Sequence, residues 1–94
     1  MIQIATINTN RADRLMKALC NHFTRKIAAR YEGYKGYIEF GDGKCEVIAT
    51  SSTLEFKAEA DTVEGLEHVK RAVVKHLLRF SPKDNFQVDW KAPS

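Results

Sequence analysis

Two histidines, His22 and His76, are the side chains in this chain best placed for chemistry. Each stands near the C-terminal end of a predicted helix, about 70° from the centre of the apolar stripe of that helix. A histidine in this boundary position could act as a general acid or base, because it gains or loses a proton near physiological pH. The alternative is structural: the ring packs against the core and sends one nitrogen to a backbone carbonyl or to water.

Cys45, Arg79 and Trp90 are the other candidate ligand-binding residues. Cys45 alternates with Val47 and Ala49 along a predicted strand, which indicates core packing, whereas a reactive thiol would need a nearby positive charge or helix N-terminus. Trp90 could line a ligand cleft together with Arg79, or close the core at the end of the chain. No residue is predicted to be catalytic, and neither a metal site nor a bound cofactor is predicted.

The two cysteines, Cys20 and Cys45, fall on different predicted elements and form neither a CxxC motif nor a Cys/His cluster. That spacing argues against a disulfide framework or a zinc knuckle and favours two free thiols. Cys20 flanks the apolar stripe of the first helix and is expected to be partly buried. His68 lies on the polar face of the second helix and is expected to be exposed.

Two amphipathic helices are predicted from apolar residues that recur at helical spacing. The first begins at a capping box of Asn10 and Asp13, and the second at one of Asp61 and Glu64. Ser81-Pro82 ends the second helix. The apolar stripes consist of Ala12, Leu15, Met16, Leu19 and Phe23 in the first helix and of Leu66, Val69, Val73, Leu77 and Phe80 in the second.

Six short strands accompany the helices. Gly41-Asp42-Gly43 is a hairpin signal that lacks the glycine spacing and the following Ser or Thr of a phosphate loop. The strands are predicted over 2–7, 26–32, 36–40, 44–50 and 53–60, and at the end of the chain with Phe86, Val88 and Trp90 facing inward. The order β-α-β-β-β-β-α-β predicts an α+β fold, with an antiparallel sheet and two helices on one face, in a single domain over 1–94.

The same order predicts where the two histidines lie. Four strands lie between the helices, so the direction of the chain reverses an even number of times between them. The helices should therefore run antiparallel, with their C-terminal ends on opposite sides of the sheet. Helices of about 16 residues are roughly 24 Å long. His22 and His76 are therefore expected not to share a metal or to act as an acid/base pair. Adjacent imidazoles would restore a joint site and would remove this argument against catalysis.

Four short motifs carry a family resemblance. They are Asn21-His22-Phe23, Gly43-Lys44-Cys45-Glu46, His76-Leu77-Leu78-Arg79-Phe80 and Val88-Asp89-Trp90. Their spacing resembles a small bacterial family of unknown function, whose members occur alone or as a C-terminal extension of siderophore-interacting flavoproteins. The resemblance runs from about Ile4 to Trp90, and the recurrent positions of the family pattern match His22, Cys45, His76, Arg79, Phe80 and Trp90.

The resemblance implies an accessory or ligand-binding domain linked to iron or siderophore handling in bacteria. The cytoplasm is the expected location because neither a signal peptide nor a membrane span is predicted. Its partner would be a siderophore-reductase-type flavoprotein or a small anionic ligand. Some relatives carry an aldolase label for a dihydroxyheptenedioate. Aldol chemistry needs a desolvated Schiff-base lysine or a metal held by several ligands, and the sequence shows neither set.

Composition and charge bound the function classes. The chain has 94 residues, of which 44% are hydrophobic and 29% charged, as in a globular domain. Residues 1–10 lack the basic start and apolar run of a signal peptide, and no stretch approaches about 18 apolar residues, so no membrane span is expected. The net charge differs between segments. It is +4 over residues 10–26, with five basic residues and one acidic residue, and +2 over 62–80, with four basic and two acidic residues. It is −3 over 27–61, with four basic and seven acidic residues.

Two other function classes remain open beside an accessory or ligand-binding domain without catalysis of its own. A small-molecule enzyme could use His22 or His76 as a general acid or base. A nucleic-acid-binding module could use the basic helical face, although the predicted sheet lacks the stacking aromatics of an RNA-binding sheet. Unpaired sheet edges could also pair across a homodimer.

Overall fold

The structure is a computed structural model that describes residues 1–80 and 87–93. The elements are β1 (Ile2–Asn8), α1 (Ala12–Thr24), β2 (Ala29–Glu32), β3 (Lys35–Glu39), β4 (Lys44–Ala49), β5 (Thr53–Glu59) and α2 (Val63–Phe80). The main difference from the predicted boundaries is that β2 begins at Ala29. Lys26 and Ile27 still donate their N–H groups to the carbonyl of Phe23, at 3.0 and 2.9 Å, so the turn that ends α1 continues through them.

The five strands form one antiparallel sheet in the order β1-β5-β4-β3-β2, and both helices pack into the core on one of its faces. The predicted α+β fold class is confirmed. The final predicted strand forms a single bridge, in which Ile4 and Lys91 exchange backbone hydrogen bonds of 2.8 and 2.9 Å. Val88 and Trp90 pack partly buried against the core, whereas Phe86 and Ser81-Pro82 lie outside the described residues.

Alternation along the strands separates a buried face of the sheet from an open one. Cys45 and Val47 on β4 are buried, and they pair with Ala58 and Phe56 on β5, which are also buried. The predicted stripes of both helices cover this face. Phe80 is the exception, since it is 38% exposed and its ring lies against His22 instead of the core. Within the described residues, neither helix is long and apolar enough to cross a membrane.

The helix N-termini differ from the predicted capping boxes. The N-cap of α1 is Arg11 rather than Asn10, and it makes no side-chain capping hydrogen bond. At α2, the Oγ1 atom of Thr62 accepts a 3.0 Å hydrogen bond from the N–H of Gly65. A hydroxyl three residues before a free helical N–H is well placed for this bond, so Thr62 caps the helix in place of Asp61.

Gly36 on β3 is a point where α1 approaches the sheet closely. A Cβ atom at Gly36 would lie 2.7 Å from Sγ of Cys20 and 3.2 Å from Cγ of Met16. The absence of a side chain therefore lets the helix approach, and Cys20 is fully buried at 0% exposure, not partly buried as expected. This approach also fixes the position of His22, which lies two residues further along α1.

Candidate functional site

His22 of α1 and His76 of α2 lie side by side. Their ring centroids are 4.4 Å apart and the ring planes are inclined by 43°. The expectation that they are too far apart to act together is therefore wrong. The strand pairing still starts the two helices from opposite ends of the sheet, but helix packing allows several crossing angles. The ring contact shows that the C-terminal halves of the two helices, which carry His22 and His76, meet.

Two phenylalanine rings flank the histidine pair. Phe23 contacts His76 at 4.8 Å with an interplanar angle of 85°, and Phe80 contacts His22 at 5.5 Å and 76°. Such edge-to-face contacts place the positive edge of one ring against the negative face of the other. We refer to His22, Phe23, His76 and Phe80 as the histidine cluster.

Helical periodicity explains how each histidine reaches the junction. Phe23 and Leu77 point into the core and are buried. His22 and His76 each precede one of these residues, and a step of one residue turns about 100° around the helix axis. Each histidine therefore stands on the flank of its helix, where it is half-buried. The pair is packed on one side and open to solvent on the other.

The histidine cluster lies in cationic surroundings. Burial lowers the pKa of His76 below the ordinary value of 6.5, and the nearby charge of His22 lowers it further. The positive charges of Lys75, Arg79 and Lys26 lower the pKa of His76 in the same direction. The imidazole of His76 is therefore neutral at pH values near 7.

The Nδ1 atom of His76 is buried and has no hydrogen-bond partner among the described residues. A buried polar atom without a partner costs about 1–3 kcal/mol. A water or ligand atom that bonded to Nδ1 would remove this cost. The ring is thus neutral, packed on one face and incompletely satisfied, which is an unusual combination for a purely structural residue.

The chemistry of the cluster favours anions over metal ions. Within residues 1–80 and 87–93, no three His, Cys, Asp or Glu side chains are grouped so that they could hold a metal. Two imidazoles supply only half of the four ligands that a structural zinc site uses, and the charges of Lys26 and Arg79 oppose a cation. The same charges, together with imidazoles that can take up protons, would stabilise a carboxylate, phosphate or phenolate.

The structure brings His22, His76 and Arg79 together, and it places Cys45 elsewhere. Cys45 is 1% exposed within the core, and burial raises the pKa of its thiol to about 12. The thiol therefore stays protonated, and a protonated thiol is neither a nucleophile nor a metal ligand. The core interpretation of Cys45 is confirmed by this burial.

Trp90 lies on the opposite flank of α2 from Arg79. Its ring centroid is 6.4 Å from that of Phe56, and Nζ of Lys70 is 6.0 Å from the ring. Arg79 follows Lys70 by nine residues, which is a rotation of about 180° around a helix. Trp90 therefore covers the end of the core beside β1 and forms no cleft with Arg79.

Sequence reasoning missed Lys26 as part of this site and assigned Phe80 to the core. A local signal was present for both, because Lys26 follows His22 by four residues and Phe80 follows His76 by four. Residues at that spacing are neighbours on one helical face. The sequence carries no corresponding signal that the two faces meet each other.

His68 is exposed, as predicted, and belongs to a separate pair. Its Nδ1 lies 2.9 Å from Oδ2 of Asp42, and both side chains are 49% exposed. The pair connects α2 to the turn between β3 and β4. It orients the imidazole, but its exposure makes it a surface ion pair of low energy.

A concavity of about 640 Å³ lies on the open face of the sheet, away from the histidine cluster. Its walls carry charges of both signs, some of them paired with each other: Nζ of Lys44 is 3.3 Å from Oε1 of Glu59. The helix junction instead brings the positive charges of Lys26, Lys75 and Arg79 near a buried nitrogen that has no hydrogen-bond partner among the described residues. We therefore place the candidate site at the histidine cluster.

Comparisons with known proteins identify relatives without a known activity. A family model described as an uncharacterised protein conserved in bacteria, DUF2218, matches residues 4–91. The NMR structure of PA4090 from Pseudomonas aeruginosa matches with a TM-score of 0.83 and 24% sequence identity, over 96% of this chain and 94% of that one. This similarity establishes the fold alone. No curated protein matches the chain.

Proposed function

Because this chain belongs to the family of uncharacterised bacterial proteins DUF2218, we propose its function from its own geometry: it is a binding domain for a small organic anion, which it holds at the histidine cluster. The observation that carries the proposal is the contact of two imidazoles, 4.4 Å apart, beside the positive charges of Lys26, Lys75 and Arg79, which lower the pKa of His76. The domain has no chemistry of its own in this proposal.

The binding would be coupled to protonation. An anion beside His22 and His76 favours the charged imidazolium and so raises the pKa of His76 above its value in the free protein. Each protonated ring then donates a charge-assisted hydrogen bond, a type of bond worth about 1.5–3 kcal/mol. Arg79 and Lys26 add to the attraction, and the ring of Phe80 offers an apolar surface to a planar ligand.

The finer form of the proposal concerns iron. The family resemblance to C-terminal extensions of siderophore-interacting flavoproteins supports a ligand that carries carboxylate or catecholate groups, as ferric siderophores do. It equally supports a siderophore-reductase-type flavoprotein as the physiological partner and the bacterial cytoplasm as the location. Citrate and 2,3-dihydroxybenzoate are simple probes of these two ligand chemistries.

Acid–base catalysis is the second candidate, and the state of His76 favours it. Its lowered pKa keeps the imidazole in the neutral form, which is the form that can accept a proton. His22 would be the group that returns the proton. This candidate differs from the first in one measurable respect, since the bound compound would be converted and not only retained.

The test is an amide-resolved NMR titration with citrate, 2,3-dihydroxybenzoate, its ferric complex and inorganic phosphate, at pH 7.5 and 6.0. Binding should shift the signals of α1 and α2 around His22 and His76, with higher affinity at pH 6.0. Arg79→Gln and His76→Gln should each weaken binding by about tenfold or more. His68→Gln is the matched control and should leave the affinity unchanged, because His68 pairs with Asp42 away from the cluster.

Several outcomes would contradict the proposal. Absence of shifts at the cluster with all four probes would remove it, and so would an affinity that is the same at both pH values. Tight binding of Zn²⁺ by the histidine pair would show a cation site instead, and salt-dependent binding of a short oligonucleotide would favour the nucleic-acid alternative. Conversion of a bound probe, lost in His76→Gln, would favour the enzyme.

A further inference from the structure

The two edges of the sheet differ in how they are protected. Beside β1, Ile4 exchanges two backbone hydrogen bonds with Lys91. At the other edge, β2 has no strand beside it in the described part of the chain, and its last three residues, Arg30, Tyr31 and Glu32, are exposed. An open strand edge pairs readily with another chain unless charge, proline or a cover prevents it.

The backbone of β2 offers its free groups at one residue. The N–H of Glu39 on β3 donates to the carbonyl of Ala28 at 2.9 Å, so residues 28, 30 and 32 form the hydrogen-bonded pairs with β3. The N–H and C=O of Tyr31 therefore point the opposite way, to the open edge. Ala29 faces the same way, but its carbonyl already accepts a 3.0 Å bond from Oγ1 of Thr24.

We propose that this edge is a self-recognition surface, and that its partner is a second copy of this chain. A two-fold axis at Tyr31 lets each Tyr31 donate its N–H to the carbonyl of the partner's Tyr31. Residues that face each other across antiparallel strands lie on the same side of the sheet. In this register Arg30 faces the partner's Glu32, and Glu32 faces the partner's Arg30. The two sheets join into one.

Other registers for pairing two copies of β2 are less favourable on the same geometric grounds. An axis at Arg30 would place two guanidinium groups opposite each other. It would also pair Tyr31 with the partner's Ala29, whose carbonyl already accepts the bond from Thr24. An axis between two residues would set the helix-covered face of one copy beside the open face of the other. Only the axis at Tyr31 combines free backbone groups with opposite charges on both sides.

The side chains of Arg30 and Glu32 are available for these contacts with a partner. The guanidinium of Arg30 is held 5.0 Å from the ring centroid of Tyr37 on the open face, and such stacking leaves its N–H groups free at the edge. Glu32 makes no ion pair within the described residues, because Lys35 opposite it lies 3.8 Å from Glu46 instead. The ring of Tyr31 is 40% exposed on the helix side.

α1 brings no unpaired lysine to the axis. Nζ of Lys17 lies 5.9 Å from the ring centroid of Tyr31 and is held by Asp13 at 3.0 Å. The pair of tyrosine rings is thus flanked by two neutralised lysines. The interface is a short one, four residues of β2 on each side, so the dimer should be weak and should appear as the protein concentration rises.

Sedimentation equilibrium from about 10 µM to about 1 mM, a range suited to a small interface, tests the proposal. Arg30→Glu and Glu32→Arg should each weaken dimerisation by about tenfold or more, because like charges then face each other twice. The double variant Arg30→Glu/Glu32→Arg should dimerise like the wild type. An equal mixture of the two single variants should form a heterodimer, since both of its contacts join opposite charges.

Lys57→Glu is the control on the same open face. It is separated from Arg30 by the two strands β3 and β4, and it should leave dimerisation unchanged. The amide of Tyr31 should also become protected from hydrogen exchange as concentration rises. A wild-type protein that stays monomeric at about 1 mM would overturn the proposal, as would single variants that dimerise normally. Dimerisation that persists while the Tyr31 amide stays unprotected would place the interface elsewhere.

Discussion

Gly36→Ala tests the contact that positions His22. A Cβ atom at Gly36 would meet Sγ of Cys20 at 2.7 Å, whereas ordinary contacts lie near 3.5–4.0 Å, so a shift of about 1 Å is needed. The distance to Cγ of Met16, 3.2 Å, leaves little room for Cys20 to move aside. Either the side chain leaves its rotamer or α1 rises from the sheet.

The expected loss of stability follows from two opposing effects. Overpacking of a core contact costs about 1–3 kcal/mol. Replacing glycine by alanine lowers the entropy of the unfolded chain and returns about 0.4–1 kcal/mol. We therefore expect Gly36→Ala to lower the free energy of unfolding by about 1–2 kcal/mol, measured as a lower midpoint of urea denaturation at unchanged slope.

A double-mutant cycle isolates the contact. Cys20→Ala removes the Sγ atom, so the double variant should lose less stability than the sum of the two single variants, by about 1 kcal/mol. Gly33→Ala is the control, because nothing lies within 4 Å of its Cβ position and its φ of +60° alone makes alanine unfavourable. The loss of unfolding free energy caused by Gly33→Ala should add to the loss caused by Cys20→Ala, with no coupling between the two.

The same variant links packing to the site. If α1 rises at Gly36, His22 moves away from His76, and the pKa of His76 should return toward 6.5, measured by NMR titration of the ring protons. Additive free energies in the cycle, with an unchanged His76 titration, would refute the reasoning that Gly36 sets the approach of α1.

Three further predictions concern single features. Stability to urea should fall as pH drops below about 6.5, because the folded state holds the pKa of His76 below its unfolded value and the unfolded chain then binds more protons; His76→Gln should reduce this fall. Asp42→Asn should cost less than about 1 kcal/mol in thermal unfolding, because its pair with His68 is exposed. Trp90→Ala should cost about 1–2 kcal/mol, since Trp90 packs partly buried against the core beside Phe56; no loss would show that the C-terminal segment is not held there.

Much of the fold could be predicted because its signals are local. Alternation along β5 and helical spacing along α1 each identify a buried face from neighbouring residues, and both faces are buried as predicted. The errors are local as well: Thr62 replaces Asp61 as a cap, and Phe80 lies on the flank of α2 and not in its stripe. In both cases the prediction was correct to within one helical turn. Packing at the end of the helix decided which residue caps it and where its last side chain lies.

The candidate site was only half predictable. Both histidines were singled out because each stands at the border of an apolar stripe, and each is indeed half-buried there. Their separation was predicted from the directions of the strands, and the 4.4 Å ring contact contradicts it. A count of chain reversals gives the end of the sheet at which a helix starts but carries no information about its inclination.

By itself, then, the amino-acid order determined the α+β class, the buried face of each element and the position of each histidine on its own helix. These are consequences of periodicity within a few residues of chain. Only the tertiary structure decided that His22 and His76 lie side by side, with Lys26 near enough to lower the pKa of His76, and that the backbone groups of Tyr31 point to the open edge. Such arrangements depend on how close α1 can approach at Gly36 and on which pairs of β2 bond to β3, and both are settled by contacts between segments distant in sequence.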